Sequence, residues 1–377
     1  MKTFIQEIIK RFGGRYAGSD AEKQAQLFVK DKLDAFCDEV SFLPFNSALE
    51  AHFQALKLFI VIHLIAIVLI FFYPTWAFVL SVVNALLFIC HFVTYRHCLD
   101  FLFPQKESYN VEGVIEPTGE HKKTIIFAGH IDSVKEFKWW YKLKFAGAVL
   151  TVISSFLLAL SPIFFALIVF SGAIVSKIFL VLLFILTPTV WVLFDMHGKE
   201  VVQGANDNLT GVALSFSLGK YFAENKPQHT RIRIISFGAE EMGLRGAFAY
   251  VKANKKRLLE ENALLVNLDT IKDKEYLTIA TNETNTLSFF DKNLIKEMQD
   301  SFEACHLPVK TLPLTVGASD ASAFIMNKLP ALSLIGMTSE TLDPTYHTRL
   351  DNLDHLDDTA MKLTKEVMIH FVEKRDK

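Results

Sequence analysis

Residues 238 to 243 read GAEEMG, two adjacent glutamates straight after the apolar run RIRIISF. Burying one uncompensated carboxylate is already costly, so a pair at the end of a buried strand calls for a positive partner. Other apolar runs end in the same kind of residue. KTIIFAGHIDS closes on His130 and Asp132, ALLVNLDTI on Asp269, and PALSLIG leads toward DPTYHTRLDNLD with His347. GANDNLTGVALSFSLGKYF, a polar turn holding Asp207 and then an amphipathic stretch, lies between the His130 run and the paired glutamates. Taken singly, Asp207 reads as a helix cap and His130 as a core histidine. Taken together, His130, Asp207, Glu241, Asp269 and His347 form a set of metal-ligand type at strand ends and the turns beyond them. Imidazole and carboxylate donors without thiolate suit a catalytic zinc. Two histidines and three carboxylates exceed the needs of one open zinc, and suffice for two about 3.5–4 Å apart if one carboxylate bridges. Water activated there needs a base. Adjacent residues at a strand end point different ways, so one glutamate can bind metal while its neighbour faces the water.

The elements that must position these residues follow from the rhythm of the polar part of the chain. Short apolar runs alternate with amphipathic helical stretches, the pattern of an α/β sheet, and ligands in such sheets collect beyond the carboxyl ends of the strands. The formal charge of -2 argues against a nucleic-acid binder. Four cysteines, Cys37, Cys90, Cys98 and Cys305, are too scattered for a disulfide framework or a cysteine zinc site. The opening MKTFIQEIIKRFGGRYAG lacks the long apolar core of a signal peptide.

Hydrophobic residues make up 51% of the 377, above the roughly 45–50% (glycine included) usual in a soluble domain. The excess sits in two blocks, about Leu58 to Thr94 and Phe145 to Phe194. LKLFIVIHLIAIVLIFFY and WAFVLSVVNALLFICHFVT each meet the roughly 17–25 residues that a bilayer span requires, with YPTW as the turn between them. The second block divides into two spans with a tip near SGAIVSK, or into three if Pro162 marks a turn. His63 and His91 fall inside the first pair with no acidic partner in either span, so they read as packing or interfacial residues. KEFKWWYKLK combines cations and tryptophans just before a span, the composition of an interfacial anchor against anionic lipid.

With these motifs in hand, the chain resembles the co-catalytic di-zinc aminopeptidases, a clan that also contains glutamate carboxypeptidase, glutaminyl cyclases and the non-catalytic transferrin receptor ectodomain. The resemblance rests on GGRYAGSDAEKQAQLFVKDKL, GHIDS, GANDNLTGVA, FGAEEMGLRGA, NLDTI and YHTRLD, in that order. It implies a mixed central sheet flanked by helices, the zinc exopeptidase fold, here with two inserted transmembrane hairpins. It implies two zinc ions per chain, His130 and Asp269 on one, Glu241 and His347 on the other, and Asp207 between them. Glu240 would then be the general base, Asp132 the carboxylate orienting His130, and Tyr346 a phenol polarising the scissile carbonyl. GASDASAF departs from the clan, with Ala321 where histidine often follows Ser-Asp.

His130 and Asp207 must reach one metal centre, so the chain between them returns to the side of the membrane it left, and the number of spans in that block is even. The expected organisation is a peptidase unit from residues 1–55, 96–144 and 195–377, with hairpins at 56–95 and 145–194. Lys57, Arg96, Lys106, Lys135, Lys138, Lys142, Lys144 and Lys199 flank the bases while the tips carry only Lys177, which puts the unit on the cytoplasmic side. The expected function is a membrane-anchored exopeptidase removing N-terminal residues from peptides. Its alternatives are a carboxypeptidase of the same clan, which would use Arg245 or Arg349 to hold an acidic C-terminus, and a silent scaffold or receptor. A transporter is disfavoured because the apolar blocks hold almost no ionisable residue to line a path.

Overall fold

The apolar runs become strands because their β-branched and aromatic residues fit a pleated surface. In chain order these are β1 (Glu39–Ser47), β2 (Lys106–Ile115), β3 (Lys123–His130), β4 (Lys135–Phe137), β5 (His197–Val201), β6 (Thr230–Phe237), β7 (Ala263–Asp269), β8 (Thr278–Glu283), β9 (Ser288–Phe289), β10 (Lys310–Leu314) and β11 (Ala331–Ile335). The computed structural model describes residues 1–336 and 343–377. Contacts divide the chain into two compact units, one of Met1–Leu49, Gln105–Lys135 and Glu200–Lys377, the other of Glu50–Pro104 and Glu136–Lys199.

The first unit is built on a nine-stranded mixed sheet in the order β1-β2-β6-β3-β7-β11-β8-β10, with β9 paired to β8. β6, β3, β7 and β11 are mutually parallel neighbours. β2 runs antiparallel to β6, and β8 antiparallel to β11. The four central strands therefore deliver their carboxyl ends to one edge. β3, β7 and β11 are buried along almost their whole length, as strands covered on both faces must be. Helix Leu209–Glu224 packs on β3, β6 and β7 and beside Thr359–Asp376, while Arg245–Glu260 packs with Asp320–Met326.

Two glycines set how closely that first helix meets the sheet. A Cβ on Gly129 would lie 2.7 Å from the backbone of Gly211 and Val212, and one on Gly211 would lie 2.1 Å from the Leu268 carbonyl. The helix start thus seats directly against the last turns of β3 and β7. Any side chain at either position would push Asp207 away from His130 and Asp269.

The two interruptions of this unit leave and return at paired backbone. β1 and β2 are antiparallel with Ser47 opposite Lys106, so the stretch between them replaces a hairpin tip. At the second, Val202 N–H donates to the Val134 carbonyl at 3.0 Å and Ser133 Oγ to the Val202 carbonyl at 2.8 Å.

Within the second unit lie four helices long and apolar enough to cross a membrane by length and composition, at Ala51–Leu69, Pro74–Val93, Phe145–Phe170 and Ala173–Phe194. Pro162 lies inside the Phe145–Phe170 helix and marks no turn; the chain reverses at Ser171 and Gly172. Asn84 Nδ2 donates to the Phe59 carbonyl at 3.0 Å and Ser154 Oγ to the Thr189 carbonyl at 2.7 Å, tying helices together where apolar contact alone gives little preference. His91 accepts the Leu99 N–H at 3.2 Å and lies 3.2 Å from the Ala51 carbonyl, a satisfied packing histidine. The cations and tryptophans of residues 135–144 are partly used internally. Lys138 pairs with Asp195, Trp139 donates to the Asp195 carbonyl, and Trp140 to Thr151.

Candidate metal centre

Two residues of the expected set emerge where central strands end, and the others lie in turns. His130 is the last residue of β3 and Asp269 the last of β7. Asp207 lies in the turn just before helix Leu209–Glu224, but the cap is its neighbour, Asn208, whose side chain accepts the Gly211 N–H at 3.0 Å. Asn208 also donates to the Leu268 carbonyl and accepts the Thr270 N–H, while Thr210 Oγ1 accepts the Ile271 N–H. These bonds weld the Asp207 turn to the end of β7.

The paired glutamates sit differently from a simple strand end. β6 stops at Phe237, and Glu240 and Glu241 lie in the turn beyond it, after Ala239 at φ +53°. Divergence of the two side chains therefore comes from a turn with a left-handed residue and not from strand alternation. Ala239, Thr270 at φ +53° and His347 at φ +55° place strained backbone at three ligand-bearing turns, a clustering common at functional sites.

The side chains converge. His130 Nε2 lies 3.2 Å from Asp207 Oδ1 and 3.6 Å from Glu240 Oε2. His347 Nε2 lies 3.1 Å from Asp207 Oδ2 and 3.2 Å from Glu241 Oε2. Donor atoms of His130, Asp207 and Asp269 lie within 4.8 Å of one another, as do those of Asp207, Glu241 and His347. Asp207 belongs to both groups, one oxygen toward each histidine. Asp132 Oδ1 is 3.4 Å from His130 Nδ1. Tyr346 stacks on His347 with ring centroids 3.8 Å apart.

The site uses Asp132 for more than the expected orientation of His130, and it uses three residues to which the sequence reading assigned no role, Asp351, Arg15 and Asp320. Asp132 accepts the N–H groups of Glu240 at 3.0 Å and Glu241 at 3.1 Å, so it orients the glutamate turn as well as His130. Asp351 accepts the N–H groups of Asn206 and Asp207 at 2.7 and 3.0 Å. Arg15 is fully buried and donates to the carbonyls of Ile131 at 2.7 Å and Gln203 at 2.8 Å, strapping the Asp132 and Asp207 loops together. Asp320, in the segment that drew attention only for Ala321, is fully buried, and among the described residues neither of its carboxylate oxygens has a hydrogen-bond partner.

Charge is unbalanced here. Burial, and then the neighbouring Asp207 carboxylate, pushes Asp269 up to about 7. Burial does the same to Asp351 and holds Glu240 and Glu241 above the ordinary range. For His347 burial opposes protonation, yet the Glu241 and Asp207 carboxylates outweigh it and raise the group to about 10. Among the described residues the buried Glu241 Oε1 has no hydrogen-bond donor, and Asp207 Oδ2 has only its ion-pair approach to His347. A donor set of two imidazoles and three carboxylates, with surplus negative charge and an orphaned oxygen, fits zinc.

That balance fixes a pH dependence for the metal-free protein. A carboxyl raised to about 7 loses stability as pH climbs from its unfolded value of about 3.9 through 7. A histidine raised to about 10 contributes fully below its unfolded value of about 6.5 and loses that contribution as pH rises through 10. Both act in one direction. Chelated protein is expected to melt lower at about pH 8 than at about pH 5 in calorimetry, with added zinc raising Tm most at the higher pH.

The comparisons with known proteins agree with this site. The profile of Peptidase family M28 matches residues 190–372. A probable lipoprotein aminopeptidase, LpqL, of Mycobacterium tuberculosis is 27% identical over 183 residues, 42% of this chain and 37% of that one. Aminopeptidase YwaD of Bacillus subtilis is 28% identical over 156 residues, 41% of this chain and 33% of that one. The chain thus spans about a third of the length of these curated relatives. Among solved structures, a zinc aminopeptidase from Bacillus subtilis aligns with TM-score 0.60 at 15% identity over 99% of this chain and 94% of its own. A glutaminyl cyclase from an Acidobacteriales bacterium aligns with TM-score 0.58 at 14% identity over 99% and 92%. The mixed α/β fold is that of the zinc aminopeptidases. Residues 190–372 match the Peptidase family M28 profile, and the chain shares its fold with solved zinc aminopeptidases and glutaminyl cyclases.

Proposed function

We propose that this chain is a membrane-anchored di-zinc exopeptidase that removes N-terminal residues from peptides. The observation that carries the reading is one carboxylate, Asp207, shared between two buried three-residue groups of metal-ligand type. His130 and Asp269 would hold one zinc, Glu241 and His347 the other, with Asp207 between them. A bound zinc pair supplies Lewis acidity toward the scissile carbonyl and lowers the pKa of water.

The chain's own residues do the rest. Glu240, whose Oε2 lies 3.6 Å from His130 Nε2 and which belongs to neither group, takes a proton from the attacking water and returns it to the leaving amine as the C–N bond breaks. Asp132 fixes the ring of His130 through Nδ1 and so its metal-facing Nε2. Burial and the nearby carboxylates hold the Tyr346 phenol protonated, leaving it a donor toward the carbonyl oxygen. Arg245 is buried with Nε committed to the Met242 carbonyl, which argues against a role in binding an acidic C-terminus.

The peptidase part is the unit of three stretches, 1–55, 96–144 and 195–377, and the anchor is the pair of hairpins at 56–95 and 145–194. Four helices of spanning length support the anchor. The cationic flanks support a cytoplasmic peptidase unit by the positive-inside rule.

Zinc analysis with a panel of aminoacyl and acidic C-terminal chromogenic substrates tests the reading. Two zinc ions per chain and turnover of aminoacyl substrates are expected. Turnover of the acidic C-terminal substrates alone would make it a carboxypeptidase, and bound zinc without any turnover a scaffold. Glu241→Ala is expected to lower zinc content below two per chain, because it removes one of the donors of the His347 group; retention of both ions would mean that the two glutamates have been assigned in the wrong order.

A further inference from the structure

Four consecutive backbone N–H groups in the glutamate turn all donate to side chains. Gly238 donates to Asn110 Oδ1 at 2.9 Å, Ala239 to Glu22 Oε1 at 3.0 Å, and Glu240 and Glu241 to the two oxygens of Asp132. Glu22 takes no part in the reaction proposed above, yet it is fully buried on the first turn of helix Asp20–Leu33. Its Oε2 accepts the Gly18 N–H at 2.6 Å, and its Oε1 accepts Ser108 Oγ at 2.8 Å in addition to Ala239. A buried carboxylate reaching across 217 residues to the one left-handed residue before the base is a costly way to fill space.

We infer that Glu22 is a positioning residue for Glu240, holding Ala239 in its left-handed conformation through the Ala239 N–H. A non-glycine residue at positive φ persists only where its surroundings over-determine it. Without the acceptor, Ala239 is free to relax toward negative φ, and that rotation swings the Glu240 side chain away from its place beside His130. The inference rests on the peptidase reading, since Glu240 is the base only there.

The test compares Glu22→Met with Glu22→Gln in the full-length, zinc-loaded protein. Methionine matches the shape and has no oxygen; glutamine can still offer its amide oxygen to Ala239. In Glu22→Met, kcat is expected to fall about 10²-fold, the scale of a 1 Å misplacement, with KM and zinc content unchanged. The Ala239 amide should also lose its protection in hydrogen exchange. Glu22→Gln should keep most of the activity and the protection. If Glu22→Met fails to fold, Glu22→Asp withdraws the acceptor by one methylene while keeping the carboxyl group, and is read in the same way. Wild-type kcat in the methionine variant, a loss matched by zinc loss or a higher KM, or an equal loss in both variants would overturn the inference. If the wild type shows no peptidase turnover, the functional reading fails instead, and exchange at Ala239 alone decides whether Glu22 holds the turn.

Discussion

Glu240→Gln is expected to retain two zinc ions per chain and the wild-type Tm while kcat falls by about 10³-fold, within the range for losing a general acid–base group. The amide keeps the shape of the side chain and its place in the turn, where the backbone N–H of residue 240 stays on Asp132. It cannot take a proton from water or return one to an amine. KM should change little, because the interaction lost belongs to the transition state. Removing a buried carboxyl that sits among Glu241, Asp269 and Asp320 also relieves repulsion, so the metal-free variant should melt no lower than the wild type. Zinc analysis, kinetics and calorimetry on one preparation check all three points. Loss of metal in this variant would reverse the roles of Glu240 and Glu241.

Asp207→Ala is expected to have the broadest effect. One side chain contributes an oxygen to each histidine group, so its removal weakens both ion sites together. Zinc content should fall to one per chain or below, and kcat should fall by more than about 10³-fold, since both metal-dependent terms are lost. The fold should survive, because the turn is held by neighbours: Asn208 caps the helix and Thr210 ties it to Ile271. Metal analysis beside circular dichroism separates the two effects. Two tightly held ions in a folded Asp207→Ala protein would remove the bridging role from the proposal.

Much of the architecture was legible because strand ends and donor residues coincide. β3, β6, β7 and β11 announce themselves as apolar runs; β3 ends on His130, β7 on Asp269, and Glu240 and Glu241 lie in the turn beyond β6. The apolar blocks were equally plain, and the parity of their count followed from His130 and Asp207 lying on either side of the second. What stayed hidden was everything that acts through the backbone. Asp351, Arg15, Glu22 and Asn110 bind carbonyls and N–H groups of turns, and such contacts leave no periodicity and no motif. Asp351 even lies inside the quoted YHTRLD, four residues beyond His347, without its spacing suggesting a bond to the Asp207 turn. The direction of the glutamate pair was read for an incomplete reason, since alternation along a strand cannot operate in a turn that begins after Phe237.

The points where the polar unit is interrupted bear on which stretches can be exchanged without disturbing its sheet. Ser47 faces Lys106 across a strand pair, and Val134 bonds Val202. Both apolar stretches are thus spliced in at places where a tight reversal would otherwise suffice, and Arg15 straps carbonyls on the two sides of the second splice. They behave as cassettes: excising each and joining its ends by a short loop is expected to leave the hydrogen bonds across both junctions in place.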